Sequence, residues 1–471
     1  MSDIIIFGLI VLWIAYVIGL SILIVLQKRP PISSLSWILS LAFLPYFGFL
    51  IYYILGPQRL KRQRMRRLRV KASLNAVSEI DHLKNHLHHD VSVQVSQQIR
   101  LGFATTDFPI STCYVLNLLV DGEQTYNAIF ASIRAATHHV HLEYYIYEPD
   151  KIGTALRDLL IEKATAGVKV RLLVDALGAA KLKEKFLAPL RRAGAEIAFF
   201  HPTRMRARPV WNMRTHRKIV VCDGKVGFTG GINITDGEDE RTRPDAYHDT
   251  HLHLEGAAVR WLQMIFAEDW FYTTGLTLGG DALLPDIAPG PLAVQIIPSG
   301  PDSEWEAIHR AYIAAIERGT KRIWLTTPYF VPGEAALMAI TSAALRGVDV
   351  KLLVPRRGDS AFVTAAARSY YDELLRAGVH VFEYTERMLH SKTLVVDDNF
   401  ALIGTANFDN RSFRLNFEVC ATAHGEHLNG QLAKQFQRDL RHAQAVRLNR
   451  AKAPFHMRLF DAVARLFSPL L

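Results

Sequence analysis

The chain has 471 residues, 49% hydrophobic and 21% charged, with 55 Lys and Arg against 45 Asp and Glu. This apolar content excludes a disordered chain, and the length accommodates two ordinary domains with cores of their own. The net charge of +10 is local: residues 1–71 hold ten basic side chains and one acid, leaving 45 bases against 44 acids, which argues against a nucleic-acid surface spread over the body.

Ile4 to Leu26 is a run of 23 residues without a charge, enough to cross a bilayer core of about 30 Å. A cleaved signal peptide fits poorly, because the run is too long and nothing basic precedes it. A second uncharged run, Leu35–Leu55, follows a short loop and carries Pro45 and Gly48, which bend or break a helix. Eight basic residues then cluster between Arg59 and Lys71. The positive-inside rule places this end, and everything after it, in the cytoplasm. Lys28 and Arg29 pull the other way in a simple hairpin, and a re-entrant second segment would reconcile the two. Such a collar also attracts anionic lipid headgroups, at about 1 kcal/mol per basic residue. Residues 1–71 are therefore expected to form a membrane anchor.

Residues 72–110 read as a polar connector. His82, His86, His88, His89 and Asp90 have no Cys partner or closed ligand spacing and are taken as solvated. From about Ser111 a βα rhythm begins. Val140, Leu142, Tyr144 and Ile146 alternate as a half-buried strand, a helical pattern runs through 153–166, and Val168–Val174 reads as a buried parallel strand. The pattern then repeats: the nine residues Ala166–Val174 recur as Arg346–Val354, and Leu190-Arg-Arg-Ala-Gly194 recurs as Leu375-Arg-Ala-Gly378. Pro285–Pro291 forms a rigid joint between the copies. The expected fold is α/β: two duplicated mixed-sheet domains, 111–285 and 286–450, related by a pseudo-two-fold and preceded by two N-terminal transmembrane helices. A final amphipathic helix lies within 451–471, where Leu459, Phe460, Val463, Leu466, Phe467 and Leu470 fall at helical spacing. Packing on the body and anchoring in a membrane interface both remain open for it. Cys113, Cys222 and Cys420 form neither a disulfide framework nor a metal pair, so a reducing compartment is expected.

The most specific signal lies inside the repeat. His216 and Lys218 are followed by Asp223, Gly230 and Asn233; His390 and Lys392 are followed by Asp397, Gly404 and Asn407, at the same offsets from the histidine. Residues two apart on a strand share a face, so each His–Lys pair points one way. Asp223-Gly224 reads as a two-residue hairpin turn that folds Gly231 opposite His216 and brings Asn233 alongside; the turn at Asp397-Asp398 does the same for Thr405 and Asn407. Asp223 and Asp397 thus sit at the far end and are read as structural. The convergent groups suit a phosphodiester. One imidazole attacks phosphorus, the other serves the leaving and incoming oxygens, and Lys218, Lys392, Asn233 and Asn407 donate to the non-bridging oxygens without a metal or other cofactor. Asp249 and Glu418, at comparable places after each motif, are the expected orienting acceptors for the two imidazoles. His251 and His253, lacking Lys or Asn at those offsets, are read as core residues.

The doubled HxKxxxxD arrangement resembles the phospholipase D superfamily, and with two N-terminal hydrophobic segments it is similar to the bacterial cardiolipin synthases within it. The stretches Leu44-Pro-Tyr-Phe-Gly48, Thr326–Pro332, Gly404–Ser412, Asn416-Phe-Glu418 and Phe467-Ser-Pro-Leu-Leu471 belong to the same resemblance, which covers nearly the whole chain. It implies His216, Lys218, Asp223, His390, Lys392 and Asp397 as the catalytic motif residues. It also implies a multi-pass protein of the bacterial inner membrane, with phosphatidylglycerol and other anionic phospholipids as partners. One phosphatidylglycerol would give its phosphatidyl group to a histidine and release glycerol, and a second would take it up to form cardiolipin. His216 is the expected nucleophile, although Gly230-Gly231 leaves no hydroxyl beside it while Thr405 stands beside His390. The alternatives are a membrane-bound hydrolytic phospholipase D, a tethered phosphodiesterase acting on nucleic acid, and an inactive scaffold. The near-neutral body disfavours the nucleic-acid enzyme, and the intact motif pair disfavours the scaffold.

Overall fold

The computed structural model describes residues 2–26, 31–44, 93–201, 212–448 and 454–471. The basic collar, the stretch from His82 to Asp90 and the second apolar run beyond Leu44 lie outside these residues. At the N-terminus, Ser2–Leu26 is a helix whose apolar side chains point outward almost throughout. Among the described residues, its segment Ile4–Leu26 alone is long and apolar enough to cross a membrane. The second helix, Pro31–Phe43, has 13 residues and spans about 20 Å, short of a bilayer core. Of the two expected transmembrane helices, one thus has a helix of sufficient length among the described residues.

The body forms a separate unit built on two sheets of matching topology. In the first half, seven strands run Val115–Val120, His139–Tyr144, Lys169–Asp175, Glu196–Phe200, Ile219–Cys222, Val226–Gly230 and Thr250–Glu255. Numbered within the half, they lie in the order 1-7-6-5-2-3-4, with strands 2, 3 and 4 parallel and the others antiparallel. Strands Leu292–Ser299, Arg322–Thr326, Asp349–Pro355, His380–Tyr384, Thr393–Val396, Phe400–Gly404 and Glu418–His424 repeat that order and those directions in the second half. Two short strands extend the second sheet: Ala443–Ala445 on one edge and Ser111–Cys113, which pairs with Leu292–Val294, on the other. The glycines of the repeated Gly-Val-x-Val segment, Gly167 and Gly347, take left-handed conformations that stop a helix and turn the chain into strand 3 of each half.

Four local expectations change. His139–Tyr144 is buried on both faces rather than one, because the helix Val259–Thr274 covers its second face: Gln263 bonds the rings of His139 and His141, and Phe266 stacks on His141. The connector contains a helix, Val93–Thr106, packed on the second half, where Gln295 Nε2 donates to the Ile99 and Phe108 carbonyls. The hairpin turns hold three residues, not two: Cys222 pairs with Val226 around Asp223, Gly224 and Lys225, and Val396 pairs with Phe400. Residues 216–218 and 390–392 lie outside the ladders, since their strands begin only at Ile219 and Thr393.

Three apolar clusters fill the body. One belongs to each half, and the third draws on both, joining Ile219, Leu252 and Trp261 to Trp324, Ile403 and Phe436. Asp223 and Asp397 brace the turns at the far ends of the motif strands. Asp223 accepts the N–H groups of Thr137, His138 and His139 at 2.8–2.9 Å. Asp397 accepts those of Thr320, Lys321 and Arg322 at 2.7–3.1 Å. In each case burial works against the ionised carboxyl but the backbone donors outweigh it, so the pKa lies below the usual carboxylate value. A depressed folded-state pKa contributes stability above the unfolded carboxylate range and loses it as the pH falls. Asp223→Ala and Asp397→Ala should each lower unfolding free energy by about 1–3 kcal/mol at neutral pH. Denaturation of wild type and variants should converge in acid.

Candidate active site

The segments carrying the two motif histidines leave their own sheets and bond to the opposite half. Thr215 forms a parallel bridge with Phe417, and Leu389 forms the same bridge with His248. The backbone bonds are reciprocal. His216 N–H reaches the Phe417 carbonyl at 2.9 Å and Phe417 N–H reaches the Arg214 carbonyl at 2.8 Å. His390 N–H reaches the His248 carbonyl at 2.7 Å and His248 N–H reaches the Met388 carbonyl at 2.8 Å. The matched bonds are those a two-fold relation between the halves requires.

This crossing exchanges the carboxylates. His216 Nδ1 lies 3.0 Å from Glu418 Oε2, and His390 Nδ1 lies 2.6 Å from Asp249 Oδ2. An ionised carboxylate can only accept, so each Nδ1 carries a proton and each Nε2 is left outside the dyad for other work. Burial drives the His216 pKa down to about 4, with Glu418 opposing and Lys218 and Lys392 reinforcing the shift. Burial also lowers Lys218, to about 8, and lowers Lys392. The carboxylates move the other way for ion pairs: burial would raise both, yet Lys392 and His390 hold Asp249 well below its usual value, and His216 holds Glu418 below its own.

The remaining groups gather around these pairs. Lys218 Nζ donates to its own His216 carbonyl at 2.8 Å, and Lys392 does the same to the His390 carbonyl. Asn233 is largely committed within its half: Oδ1 accepts from Ile146 N–H at 3.2 Å and Nδ2 donates to Glu238 at 2.7 Å. Asn407 is buried with its Oδ1 unpartnered among the described residues. Edges and faces of Tyr145 and Tyr247 border His216 and His390, with ring centroids 5.1 and 5.4 Å apart.

The Gly–Thr asymmetry acts on the opposite histidine from the one expected. Thr405 Oγ1 donates to Glu418 at 2.5 Å, so the hydroxyl serves the dyad of His216. A Cβ on Gly231 would stand 2.1 Å from Asp249 Oδ1, so the absent side chain makes room for the carboxylate of His390. The one-residue change in turn length and the exchange of carboxylates account for the reversal.

With this geometry in place, comparison with known proteins is decisive. The profile of the cardiolipin synthase, phospholipase D-like domain matches residues 129–270 and 312–440, and a phospholipase D-nuclease N-terminal profile matches 8–57. A cardiolipin synthase of Geobacillus kaustophilus is 41% identical over 97% of this chain and 92% of its own length. Cardiolipin synthase 2 of Bacillus anthracis is 40% identical over 97% of this chain and 90% of its own. The chain belongs to the cardiolipin synthase family. The fold is also that of the phosphatidylserine synthase of Haemophilus influenzae, with a TM-score of 0.59 and 16% identity over 80% of this chain and all of that one.

Two residues important to this member of the cardiolipin synthase family escape sequence reasoning. Glu238 is buried beside the second dyad, with its carboxylate, that of Asp249 and a His390 ring nitrogen all within 4.8 Å of one another. Such a trio has metal-ligand chemistry, but each member already holds a partner: Asn233 N–H and Nδ2 on Glu238, and the Asp249–His390 bond. Its counterpart in the second half is Ser412, which accepts the Asn407 N–H as Glu238 accepts that of Asn233. Counting five residues beyond each Asn would have exposed the pair.

His248 is the other. Its Nδ1 lies 2.8 Å from Asp121 and its Nε2 2.9 Å from Asp439, so both nitrogens donate and the ring is an imidazolium. Burial opposes the charge, but the two carboxylates raise its pKa to about 10. Arg387 bonds the second oxygen of Asp121 at 2.6 Å, and Tyr384 stacks on the ring. The cluster ties the first helix of one half to the last helix of the other, one residue before Asp249. A raised folded-state pKa contributes stability in full below the unfolded histidine range and loses it as the pH climbs toward about 10. Unfolding midpoints should therefore fall between neutral pH and pH about 10. His248→Ala should cost on the order of 3–5 kcal/mol at neutral pH, because the buried Asp439 carboxylate loses its cation and faces Asp121, which keeps Arg387. It should also flatten that alkaline slope.

Proposed function

We propose that the protein is a cardiolipin synthase that moves a phosphatidyl group from one phosphatidylglycerol to another by two-histidine catalysis. The observation carrying this reading is the pair of exchanged dyads, each presenting an Nε2 beside a buried lysine, in a chain about 40% identical to cardiolipin synthases over nearly its whole length. His216, with its pKa lowered to about 4, is the neutral base suited to attack. Its Nε2 forms a bond to phosphorus while the bond from phosphorus to the glycerol oxygen breaks. His390, flanked by Asp249 and Glu238, gives its Nε2 proton to that departing oxygen. The hydroxyl of a second phosphatidylglycerol then loses its proton to His390 and attacks phosphorus. The P–N bond breaks, and cardiolipin leaves with both histidines restored. Lys218 and Lys392 stabilise the charge gathering on the non-bridging oxygens. Asn407 assists, and Asn233 retains one free amide proton for the same task. One phosphodiester replaces another, so the exchange consumes no nucleotide.

The same reading extends to organisation. Segment 4–26 and the run 35–55 hold the chain in the membrane, the collar sets a cytoplasmic orientation, and domains of 111–285 and 286–450 form the catalytic body. Phosphatidylglycerol is the substrate partner, at a membrane surface.

Purified protein given phosphatidylglycerol in vesicles should release cardiolipin and glycerol in equal amounts; phosphatidic acid as the sole lipid product would replace the proposal with hydrolysis. His216→Ala and His390→Ala should each reduce turnover by about a thousandfold or more, and a phosphatidyl adduct should be trapped only where His216 is intact. Substantial activity in either variant overturns the scheme. Glu238→Gln tests the division of labour: turnover should fall while the adduct still forms on His216. An adduct on His390 would reverse the assignment.

A further inference from the structure

The helix Phe455–Leu466 carries two apolar faces, and the body covers only one of them. On the covered side Ala464 is fully buried, and Phe460 and Phe467 set their rings against Phe362 of the helix Ala361–Arg368, with centroids 6.1 and 5.5 Å apart. Arg465 adds a bond to Glu373 at 3.1 Å and lies over the Tyr370 ring. The other side is open. Phe455, Leu459, Val463 and Leu466 follow the spacing i, i+4, i+8 and i+11, which at 3.6 residues per turn is one stripe. Phe455 is 76% exposed, Leu459 50% and Leu466 78%. A folded chain seldom leaves such a contiguous row in water.

We propose that this stripe docks on the surface of an anionic phospholipid bilayer and sets the depth at which the catalytic body meets its lipid. The proposal rests on the lipid-transfer function above. Charge selects the occupant. From Arg447 to Leu471 the chain holds five basic residues and one acid, and exposed Arg458 and His456 border the stripe on its two sides. An apolar row flanked by cations is the pattern of a helix lying in a headgroup layer. The helix is also wired to the site. Its terminal turn receives Asn410 Nδ2 on the Ser468 carbonyl at 3.0 Å and Arg411 N–H on the Leu471 carbonyl at 2.9 Å. Tyr370 and Ser468 share a hydroxyl bond of 2.9 Å. Asn410 and Arg411 open the short helix Asn410–Arg414, three residues beyond Asn407, so a surface holding the terminal helix holds that segment with it.

The test uses the full chain reconstituted in vesicles. Cys113, Cys222 and Cys420 are buried, so a pyrene maleimide placed on Leu459→Cys reports this face alone. Spin-labelled lipid should quench its monomer emission, more strongly in phosphatidylcholine vesicles containing phosphatidylglycerol than in those without. Undiminished emission means that the face stays in water and overturns the proposal. Excimer emission means that a second copy covers the stripe and also overturns it. Independently, Leu459→Asp with Leu466→Asp should lower cardiolipin formation from vesicles by about tenfold or more while sparing transfer from monomeric short-chain phosphatidylglycerol. Equal loss on both substrates, or no loss on vesicles, counts against lipid docking. Quenching without any cardiolipin from the wild-type chain would instead overturn the transfer function and leave the docking surface standing.

Discussion

Each motif histidine is held by a carboxylate from the other half of the chain, and most of the body is arranged around that exchange. His216 bonds Glu418 and His390 bonds Asp249, with both carboxylates and His390 buried and His216 only partly exposed, so neither half contains a working imidazole–carboxylate pair by itself. A buried carboxylate without its partner is costly, and the pairing therefore drives the halves together as it orients the rings. Backbone bridges at Thr215–Phe417 and Leu389–His248 fix the crossing chains in register. Arg217, the middle residue of the first motif, reinforces the junction: it pairs with Asp269 in its own half while donating to the Glu418 and Ser299 carbonyls of the other. The shared apolar cluster beneath supplies the burial that gives these polar contacts their strength.

The repeat was legible because its spacing records topology. Gly167 and Gly347 mark the same helix stop, and the identical offsets from His216 and His390 reflect two strands paired in the same register. Lys218, Lys392 and the two carboxylates were equally plain as types in place. What the pattern could not carry was the third dimension of the crossing. Sequence period describes a strand against its neighbour, whereas 216–218 and 390–392 leave their ladders to meet partners 202 and 141 residues away. His248 was missed for a similar reason. Its two acidic partners come from helices near opposite ends of the body, and no local spacing links Asp121 to Asp439.

Charge is handled in two different ways along the molecule. The cations of the N-terminal stretch are clustered in sequence, while Lys218 and Lys392 sit fully buried among Glu418, Asp249 and Glu238. Inside a low-dielectric cleft a single lysine acts on a phosphate more strongly than a row of solvated bases can. Under the proposed function a body of nearly balanced charge suffices for an anionic lipid, because attraction to the surface and stabilisation of the reacting phosphate fall to separate residues.

The duplication is also broken where chemistry needs it broken. Two symmetric dyads would give two equivalent imidazoles, yet transfer requires one to attack and the other to hold a proton at the same moment. Substitutions at two matched positions separate them. Thr405 donates to Glu418, drawing off part of the negative charge that would favour an imidazolium at His216; Gly231 gives no hydroxyl donor to Asp249, whose Oδ1 accepts the Thr250 N–H at 2.7 Å instead. Glu238 then adds a second carboxylate beside His390 where Ser412 offers only a hydroxyl on the other side. The two dyads therefore differ in their surroundings, with a hydroxyl donor on the Glu418 side and an added carboxylate on the Asp249 side. In a fold that arose by copying one half, the side chains that differ between the copies are thus the ones on which the proposed division of roles rests.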